Sequence, residues 1–386
     1  MKQVSSVQSK KHAPANVAKL IKNGRIPTPK EIVAYLDQRV IGQSETKKTL
    51  AIAVYNHYKR VFANLCGKGF CDQFDDVEID KSNIIMCGNT GTGKTFLIQN
   101  IAKMLGVPCH IHDCTKLTES GYVGDDVENV LTGLLQAADY DVERAQIGIV
   151  CLDELDKCAK RSQNVSISRD VSGEGVQQGL LKIVESNEVG VMASGGRKFP
   201  GADETMINTS NILFIAMGAF VGLDDIVSRR IESASTKGIG FNISAPQSED
   251  DIEHDIILDH VSPVDLKHFG LIPELIGRFP VITHTNPLTR EDLARIITEP
   301  KNSILRQYQK LLYLDGKTLT FTKEAIDTIA DAAILSETGA RGLRGILEIV
   351  LKDIMFTSAD TKKKAITVDK DYCDKALSRF LKHKVA

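Results

Sequence analysis

A glycine-rich segment gives the clearest chemical signal in the sequence. It reads GNTGTGKT over residues 88–95 and lies between an apolar run, NIIMC, and a helical pattern, TFLIQNIAKML. In such a loop the backbone N–H groups surround phosphate oxygens, the lysine reaches the β- and γ-phosphates, and the last hydroxyl ligates Mg²⁺. The pattern therefore predicts a site for ATP and Mg²⁺ formed by Gly88, Asn89, Thr90, Gly91, Thr92, Gly93, Lys94 and Thr95.

Two adjacent carboxylates end a second apolar run farther along the chain. Residues 149–152 are apolar and are followed by Asp153 and Glu154. Open parallel sheets bind ligands at the carboxyl ends of their strands, so we expect Asp153 to hold Mg²⁺ through water and Glu154 to activate the attacking water. Paired acids at a strand end are often only solvated, but the glycine-rich loop favours the catalytic interpretation. Asp156 is expected to cap a helix.

Apolar periodicity places that loop and those acids in an α/β framework. Three short apolar runs, NIIMCG, IGIVCLDE and NILFIAMGAF, have the profile of buried parallel strands. Helical patterns separate them, and this β-α-β order predicts a central parallel sheet with helices on its faces. From about Thr289 helical patterns dominate. We expect a flexible basic arm at 1–26, a large domain at 27–286 and a smaller, mainly helical domain at 287–386.

Composition and charge exclude several classes of protein. At 386 residues, 42% of them hydrophobic, the chain can form two globular domains, and it is neither disordered nor collagen-like. The net charge of −2 provides no global attraction for nucleic acid, no apolar run could cross a bilayer, and the first residues lack a signal-peptide core. We expect a cytoplasmic protein without nucleic-acid or membrane partners. The acid-free, lysine-containing start leaves an organelle matrix as the alternative.

The cysteine pattern does not predict a zinc site. Of the eight cysteines, Cys66 and Cys71 have a spacing that resembles metal ligands, but no second pair lies near them in the sequence to complete a set of four. We therefore expect buried or idle thiols, no zinc and no disulfide framework.

Several longer segments show a family resemblance that covers the chain from Pro27 to the C-terminal region. The sequence resembles the ClpX family, the AAA+ unfoldase subunits of a bacterial and organellar ATP-dependent protease, in the segments VIGQ, GNTGTGKT, LTESGYVGDDVENVL, IVCLDELDK, SRDVSGEGVQQGLLKIVE, GLIPELIGRFP and TGARGLRGILE. The resemblance implies a homohexameric ring with ATP bound between subunits. It also implies a ClpP-type peptidase and unfolded or tagged proteins as partners.

The resemblance assigns further residues to the nucleotide site. Val40 and Ile41 would line the adenine pocket, and Arg341 would be the sensor arginine over the phosphates. Arg278 would be the finger that reaches the γ-phosphate of a neighbouring subunit, because a planar guanidinium stabilises the charge that develops there.

The resemblance also implies a pore that grips polypeptides. Tyr122 and Val123 lie between two glycines and would form an uncharged, adaptable gripping tip. Arg169 resembles a residue of a second pore loop, and Arg197 and Lys198 resemble a basic loop at the pore entrance.

A docking loop is expected in a polar insertion that begins near residue 232. The apolar residues of Ile239-Gly240-Phe241 match no strand or helix pattern that would bury them, and exposed apolar residues on a loop commonly mark a partner site. By resemblance, this tripeptide would dock on the peptidase. The alternative is that its side chains fold back on their own domain.

The sequence departs from the family pattern in three places. Phe199 stands where the pore-entrance loop usually has histidine, the four-cysteine N-terminal zinc domain has no counterpart, and residues 246–260 are strongly acidic. Alternative functions are a remodelling chaperone without a protease, the related unfoldase HslU, and an AAA+ nucleic-acid motor. The absence of a long insertion between the two motifs argues against HslU, and the uncharged GYVG loop argues against a nucleic-acid motor.

Overall fold

A computed structural model describes residues 25–66, 74, 76–118, 126–159, 173–185, 187–192, 204–236, 257–336, 338–361 and 364–382. The chain divides into two compact units, each built from segments that are not contiguous in sequence. Unit 1 comprises residues 1–32, 48–88 and 98–284, and unit 2 comprises residues 33–47, 89–97 and 285–386.

The strands of the described residues belong to three sheets. In chain order they are β1 (Ile84–Cys87), β2 (Cys109–Asp113), β3 (Ile149–Asp153), β4 (Glu188–Met192), β5 (Glu204–Asn208), β6 (Leu213–Gly218), β7 (Val281–His284), β8 (Thr318–Phe321) and β9 (Ala365–Val368).

The helices alternate with these strands. They are α1 (Pro29–Asp37), α2 (Ser44–Cys66), α3 (Lys94–Leu105), α4 (Asn129–Ala137), α5 (Val142–Ala145), α6 (Glu174–Glu185), α7 (Leu223–Thr236), α8 (Pro263–Phe269), α9 (Pro273–Gly277), α10 (Arg290–Thr298), α11 (Ile304–Leu314), α12 (Lys323–Leu335), α13 (Ala340–Ser358) and α14 (Lys370–Lys382). Short 3₁₀ turns follow β2 and β3 at Cys114–Lys116 and Leu155–Cys158, and a third lies at Leu258–His260. No helix in the described ranges is long and apolar enough to span a bilayer.

Unit 1 contains a five-stranded sheet in the order β2-β3-β6-β1-β7, and all four pairings between neighbours are parallel. The predicted strands are the three central ones, β1, β3 and β6. Their apolar residues are buried on both faces of the sheet, as the continuous apolar runs indicate. The predicted α/β class with a central parallel sheet is confirmed.

Strands β2 and β7 form the two edges of the sheet, and sequence periodicity did not indicate them. Their sequences, CHIHD and VITH, are short and only partly buried, so neither shows a continuous apolar run. Sequence periodicity did not indicate the antiparallel pair β4–β5 either, because its residues are mostly exposed or half-buried.

Unit 2 is mainly helical between residues 285 and 382. Helices α10 to α14 enclose an apolar core that includes Leu293, Ile329 and Leu347, and β8 pairs with β9 in parallel. Hydroxyl side chains cap the starts of three helices: Thr289 for α10, Ser303 for α11 and Thr322 for α12. These caps and the apolar stripes between them account for the helices that the sequence predicts in this region.

Candidate nucleotide-binding and catalytic site

The glycine-rich loop lies between β1 and α3, as the motif predicts. Gly91 and Gly93 have φ angles of +84° and +96°, in the left-handed region that favours glycine. A Cβ on Gly91 would also approach the Thr338 carbonyl oxygen to 2.7 Å. Gly91 is therefore required both by its own backbone angle and by the close approach of the chain at Thr338.

Two side chains fold back onto the start of the loop. The Thr92 hydroxyl donates to the Asn89 carbonyl oxygen at 2.8 Å and contacts the Thr285 hydroxyl at 2.6 Å. The Lys94 ammonium donates to the same Asn89 oxygen at 2.9 Å, and Lys94 is only 9% exposed. Left-handed glycines, an ammonium group held inside the loop and the first turn of α3 form an anion-binding cradle that fits the phosphates of ATP.

Helix α13 begins against this loop. The Ala340 amide donates to the Gly91 carbonyl oxygen at 3.3 Å. Gly339 precedes the helix with φ +56° and ψ −145°, a conformation that is costly for other residues. Arg341, the second residue of α13, is exposed and lies next in sequence to the residue that contacts the loop. The structure thus places the predicted sensor arginine beside the phosphate loop.

The turn at residues 40–43 also belongs to unit 2. Val40 and Ile41 are 7% and 6% exposed. The Gln43 amide forms a pair of hydrogen bonds with the Asn286 backbone: its Nε2 donates to the Asn286 oxygen at 2.7 Å, and its Oε1 accepts from the Asn286 N–H at 2.8 Å. These bonds hold the turn against the chain that follows β7.

A buried lysine also holds this turn. The Lys47 ammonium donates to the Val40 carbonyl oxygen at 2.7 Å and pairs with Asp37 at 2.8 Å. Neither Gln43 nor Lys47 was predicted as a site residue, although Gln43 is part of the VIGQ segment. The sequence signal for this turn is a polar residue beside a glycine. In the structure Gly42 is left-handed, with a φ angle of +66°.

The two predicted acids lie in unit 1, at the carboxyl end of β3. Glu154 has φ +57° and ψ +33°, which is uncommon for a residue other than glycine, and its N–H donates to Asp153 Oδ1 at 3.0 Å. The backbone of Glu154 starts the 3₁₀ turn, but its side chain forms no capping hydrogen bond. The left-handed conformation turns the chain immediately after Asp153, and the Glu154 side chain is exposed.

The prediction that Asp156 caps a helix is wrong. Asp156 lies inside the 3₁₀ turn, 7% exposed, and the residue at the cap position is Glu154. A Cβ on Gly218 would lie 2.3 Å from Asp156 Oδ1, so the Asp156 carboxylate packs against the end of β6. The chain leaves β3 in a tight turn rather than in a new α-helix, which moves the cap position to Glu154.

The register of the sheet places Gly88 and Asp153 at the same end of the strands in unit 1, the carboxyl end. Leu152 pairs with Ala216, and Ala216 pairs with Ile85, so β1 and β3 end at similar heights with β6 between them. Two strand spacings separate them by about 10 Å. The first residue of the phosphate loop and the predicted magnesium ligand are therefore at the same carboxyl edge, where parallel sheets bind ligands.

Arg278 lies at the other end of the strands of this sheet, the amino end. It follows α9, and its carbonyl oxygen accepts a 2.8 Å hydrogen bond from Asn83, the residue before β1. Its guanidinium forms an ion pair with Glu185, the last residue of α6. A four-residue strand spans roughly 13 Å, so unit 1 does not bring Arg278 to Asp153 or Glu154.

The predicted pore and docking residues lie outside the described residues. These are Tyr122, Val123, Arg169, Arg197, Lys198, Ile239, Gly240 and Phe241. Three further predicted segments also lie outside the described residues. They are residues 1–24 of the predicted arm, Phe199, and most of the acidic segment at 246–260. Within the described ranges, no group of three or more His, Cys, Asp or Glu side chains could hold a metal ion.

Comparison with known proteins identifies the family. Residues 79–282 match the AAA domain of the Cdc48 subfamily, and residues 288–364 match the C-terminal D2-small domain of ClpB. The ATP-dependent Clp protease ATP-binding subunit ClpX of Porphyromonas gingivalis is 49% identical over 93% of this chain and 84% of that protein. The subunits of the same name in Bacteroides fragilis and Treponema denticola are 51% and 50% identical, over 89% and 90% of this chain and 80% and 82% of those proteins.

The chain belongs to the ClpX family. It is therefore an ATP-binding AAA+ ATPase. The two matched domains are consistent with the central parallel sheet of unit 1 and with the helices of unit 2. For this ClpX-family chain, the cradle in unit 2 and the acids in unit 1 are the two described groups of residues to which the chemistry of an ATPase can be assigned.

Proposed function

We propose that this ClpX-family ATPase unfolds proteins and threads them through the pore of a homohexameric ring into a ClpP-type peptidase. The observation that carries the proposal is the similarity of about nine-tenths of the chain, at about 50% identity, to ATP-binding subunits of the Clp protease. The described site supports it, because an ATP-driven motor needs the phosphate cradle and the catalytic acids that the chain contains.

The cradle would hold ATP. Loop amides and the Lys94 ammonium would bind the β- and γ-phosphates, and Val40 and Ile41 would line the adenine pocket. Arg341 would act as the sensor arginine, and its position beside the Gly91 contact supports this role. Bound ATP supplies the phosphoanhydride bond whose hydrolysis drives the motor.

The two acids at the end of β3 would have different roles, one in holding the metal ion and one in proton transfer. Thr95 and Asp153 would hold Mg²⁺, Asp153 through water. Glu154 would orient the attacking water and accept its proton. The exposed Glu154 side chain, which takes no part in capping, supports this assignment.

Two observations support a ring in which subunits share sites. Arg278 lies at the amino edge of its own sheet, away from Asp153 and Glu154, so it would reach the phosphates of a neighbour. Unit 2 also exposes large apolar side chains on α11 and α13: Tyr313 is 74%, Leu314 73% and Phe356 85% exposed.

These apolar residues lie at corresponding ends of two adjacent helices. Hydrogen bonds from Arg344 to Gln307, from Tyr308 to Glu348 and from Ser358 to Asp315 align α11 and α13 in the same direction. Apolar patches of this kind mark protein contacts, and a second copy of the chain is the partner that ring assembly requires.

The roles of the pore and docking loops rest on the sequence. Tyr122 and Val123 would grip the substrate by van der Waals contact, Arg169 would belong to a second pore loop, and Arg197 with Lys198 would contact substrate at the pore entrance. Ile239-Gly240-Phe241 would insert into a pocket of the peptidase. A ring repeats that contact in each subunit, so weak single contacts can suffice.

A degradation assay with a tagged, folded reporter protein, the peptidase and ATP tests the function. Phe241→Ala should abolish degradation and keep ATP hydrolysis and unfolding, because it removes only an apolar contact with the peptidase. Tyr122→Ala should keep ATP hydrolysis and slow both unfolding and degradation, because the grip is lost.

Unfolding without degradation by the unmodified chain would instead indicate a chaperone that works without a protease. ATP hydrolysis stimulated by DNA and not by unfolded protein would indicate a nucleic-acid motor.

A further inference from the structure

An ion pair joins the proposed arginine finger to a helix of its own subunit. The Arg278 Nε–H group donates to a carboxylate oxygen of Glu185, the last residue of α6. The side chains of Arg278 and Glu185 are 57% and 35% exposed. Ion pairs at this exposure add little to stability, because water screens the charges and two long side chains lose conformational freedom. The main effect of the pair is therefore on the position of the guanidinium.

The backbone on the arginine side of the pair is held by buried groups. The Arg278 carbonyl oxygen accepts a 2.8 Å hydrogen bond from the Asn83 side chain, and Asn83 is 1% exposed. The Asn83 Oδ1 in turn accepts a 3.1 Å hydrogen bond from the N–H of Phe214 in β6. Phe279, the next residue in the chain, is fully buried. The Arg278 backbone is thus anchored to the central sheet, and only its side chain needs to be directed.

Helix α6, on the other side of the pair, is held by a buried glutamine. Gln177 is 0% exposed. Its Nε2 donates to the Cys158 carbonyl oxygen at 2.8 Å and to the Gly270 carbonyl oxygen at 3.2 Å. Its Oε1 accepts from the Ile272 N–H at 2.8 Å. Because a buried amide with satisfied donors and acceptor holds one geometry, Gln177 fastens α6 to the turn after β3 and to the chain that leads into α9.

Gln177 and Glu185 attach α6 to the segment around α9 at two separate points. About two helical turns, roughly 12 Å, separate them along α6. Gln177 binds the chain just before α9, and Glu185 binds Arg278 just after α9. Buried apolar residues of both helices, such as Leu180 and Leu275, belong to the same core. Helix α6 is therefore a rigid support for α9 and for the arginine that follows it.

The ion pair uses one part of the guanidinium and leaves the rest available. An arginine side chain has five N–H donors, one on Nε and four on the two Nη atoms. Glu185 accepts from Nε, and neither Nη atom forms a hydrogen bond with a residue in the part of the chain that the structure describes. The Nη groups can bind two phosphate oxygens at once. Glu185 thus orients the guanidinium without occupying the groups that would contact a phosphate.

We propose that Glu185 is a positioning residue for the arginine finger, and that it directs the Nη groups of Arg278 toward the γ-phosphate held by a neighbouring subunit. This inference rests on the proposed function, in which Arg278 acts between subunits. A donor that stabilises charge developing in the reaction affects turnover and not ATP affinity. A misplacement of about 1 Å can lower the rate by about 10²-fold. The loss in Glu185 variants should therefore be smaller than the loss caused by removing Arg278 itself.

Steady-state ATP hydrolysis by assembled rings of the full chain tests the proposal. Glu185→Ala should lower kcat by about ten- to a hundred-fold and leave the KM for ATP close to normal. Glu185→Gln should keep more turnover than Glu185→Ala, because its amide oxygen still accepts the Nε–H. Glu188→Ala removes an exposed glutamate in β4 and is the control that should change neither constant. Normal kcat in Glu185→Ala, or an equal loss in Glu185→Ala and Glu188→Ala, would overturn the proposal.

A double variant separates a positioning role from a structural one. In an Arg278→Ala background, Glu185→Ala should cause no further loss of kcat, because Glu185 acts through Arg278. A further loss of the full size would overturn the proposal, since Glu185 would then support another group. The Arg278→Ala single variant distinguishes the possible failures. Near-normal turnover in it would reject the finger and this proposal together, whereas a large loss in it beside normal kcat in Glu185→Ala would reject this proposal alone.

Discussion

The proposed nucleotide cradle of unit 2 and the proposed catalytic edge of unit 1 are built in different ways. The segments of unit 2 that would surround the nucleotide, around residues 40, 91 and 340, are far apart in sequence, and contacts to backbone atoms hold them, such as those of Gln43 with Asn286 and of Ala340 with Gly91. The catalytic edge consists of consecutive side chains, Asp153 and Glu154, at the end of one strand.

Because of this difference, substitutions in the cradle and at the catalytic edge should change different properties, nucleotide binding in the first case and turnover in the second. A cradle made from backbone groups is fixed by glycines and anchoring side chains, so changes there should alter nucleotide affinity and local stability. Carboxylates at a strand end act through their own protonation and position, so changes there should alter turnover and leave affinity in place.

Arg278 tests whether chemistry in unit 1 needs a second subunit. Arg278→Ala should lower ATP turnover by about 10³-fold or more, the usual effect of losing an arginine finger. Because Arg278 lies at the amino edge of its own sheet, an inactive Arg278→Ala chain mixed with an inactive Lys94→Ala chain should regain partial ATPase activity. Turnover is measured in rings verified to contain both chains. No recovery in such rings would contradict action between subunits.

Glu154→Gln tests the catalytic edge alone. Loss of the general base should lower kcat by about 10²- to 10⁴-fold, and ATP affinity should stay close to normal, because the amide keeps the size of the side chain but cannot accept the proton. Steady-state kinetics and nucleotide titration measure the two effects. Glu143→Gln, at an exposed acid of α5, is the control that should change neither. Near-normal turnover in Glu154→Gln would show that the assignment of the base is wrong.

Lys94→Ala tests the cradle alone. The ammonium group contributes a charge-assisted hydrogen bond worth about 1.5–3 kcal/mol, so ATP affinity should fall by roughly ten- to a hundred-fold. Titration with a fluorescent ATP analogue measures the loss. Lys103→Ala, at an exposed lysine of the same helix α3, should bind normally. Equal affinity in the two variants would remove Lys94 from the phosphate site.

Gln43→Leu tests whether the turn at 40–43 is part of the cradle. The leucine removes both hydrogen bonds to Asn286 at a position that is 7% exposed, which should lower the free energy of unfolding by about 1–3 kcal/mol. ATP affinity should fall with it, because Val40 and Ile41 lose their support. Gln38→Leu changes an exposed glutamine of the same segment and is the control for denaturant unfolding and nucleotide titration. A destabilised Gln43→Leu chain with unchanged ATP affinity would separate the turn from the site.

Mild acid should destabilise unit 1 selectively. Burial, with smaller effects of Arg60 and Lys81, lowers the pKa of His57 to about 3, and burial lowers that of His110 to about 4. In the unfolded chain both titrate near the ordinary value of about 6.5, so the unfolded state binds more protons below that pH. Stability from these groups is complete above about pH 6.5 and is lost as the pH falls toward 4, at up to about 1.4 kcal/mol per pH unit for the fully buried His57.

Proteolysis in urea at about pH 7 and about pH 5, mapped by mass spectrometry, distinguishes the two units. Unit 1 should become susceptible first, because the sequence of unit 2 contains only one histidine, His383. His57→Gln should reduce the pH dependence in unit 1, whereas His268→Gln, at an exposed position, should not. Equal acid sensitivity of both units would contradict the prediction.

The sequence by itself determined the strands at the centre of the sheet, the phosphate loop and the acids after β3. Continuous apolar runs such as residues 149–152 can only be buried on both faces, and the GNTGTGKT spacing leaves few other structures for the loop. The edge strands β2 and β7 were not predicted, because a strand with one neighbour is half exposed and loses the apolar signal.

Only the tertiary structure decided which distant residues meet. No local pattern pairs Gln43 with Asn286, Gly91 with Ala340, or Arg278 with Glu185, because these contacts depend on how helices and strands pack after they form. Periodicity and motif spacing determine local structure, whereas pairing across the sheet and between helices is set by the packing of the whole unit.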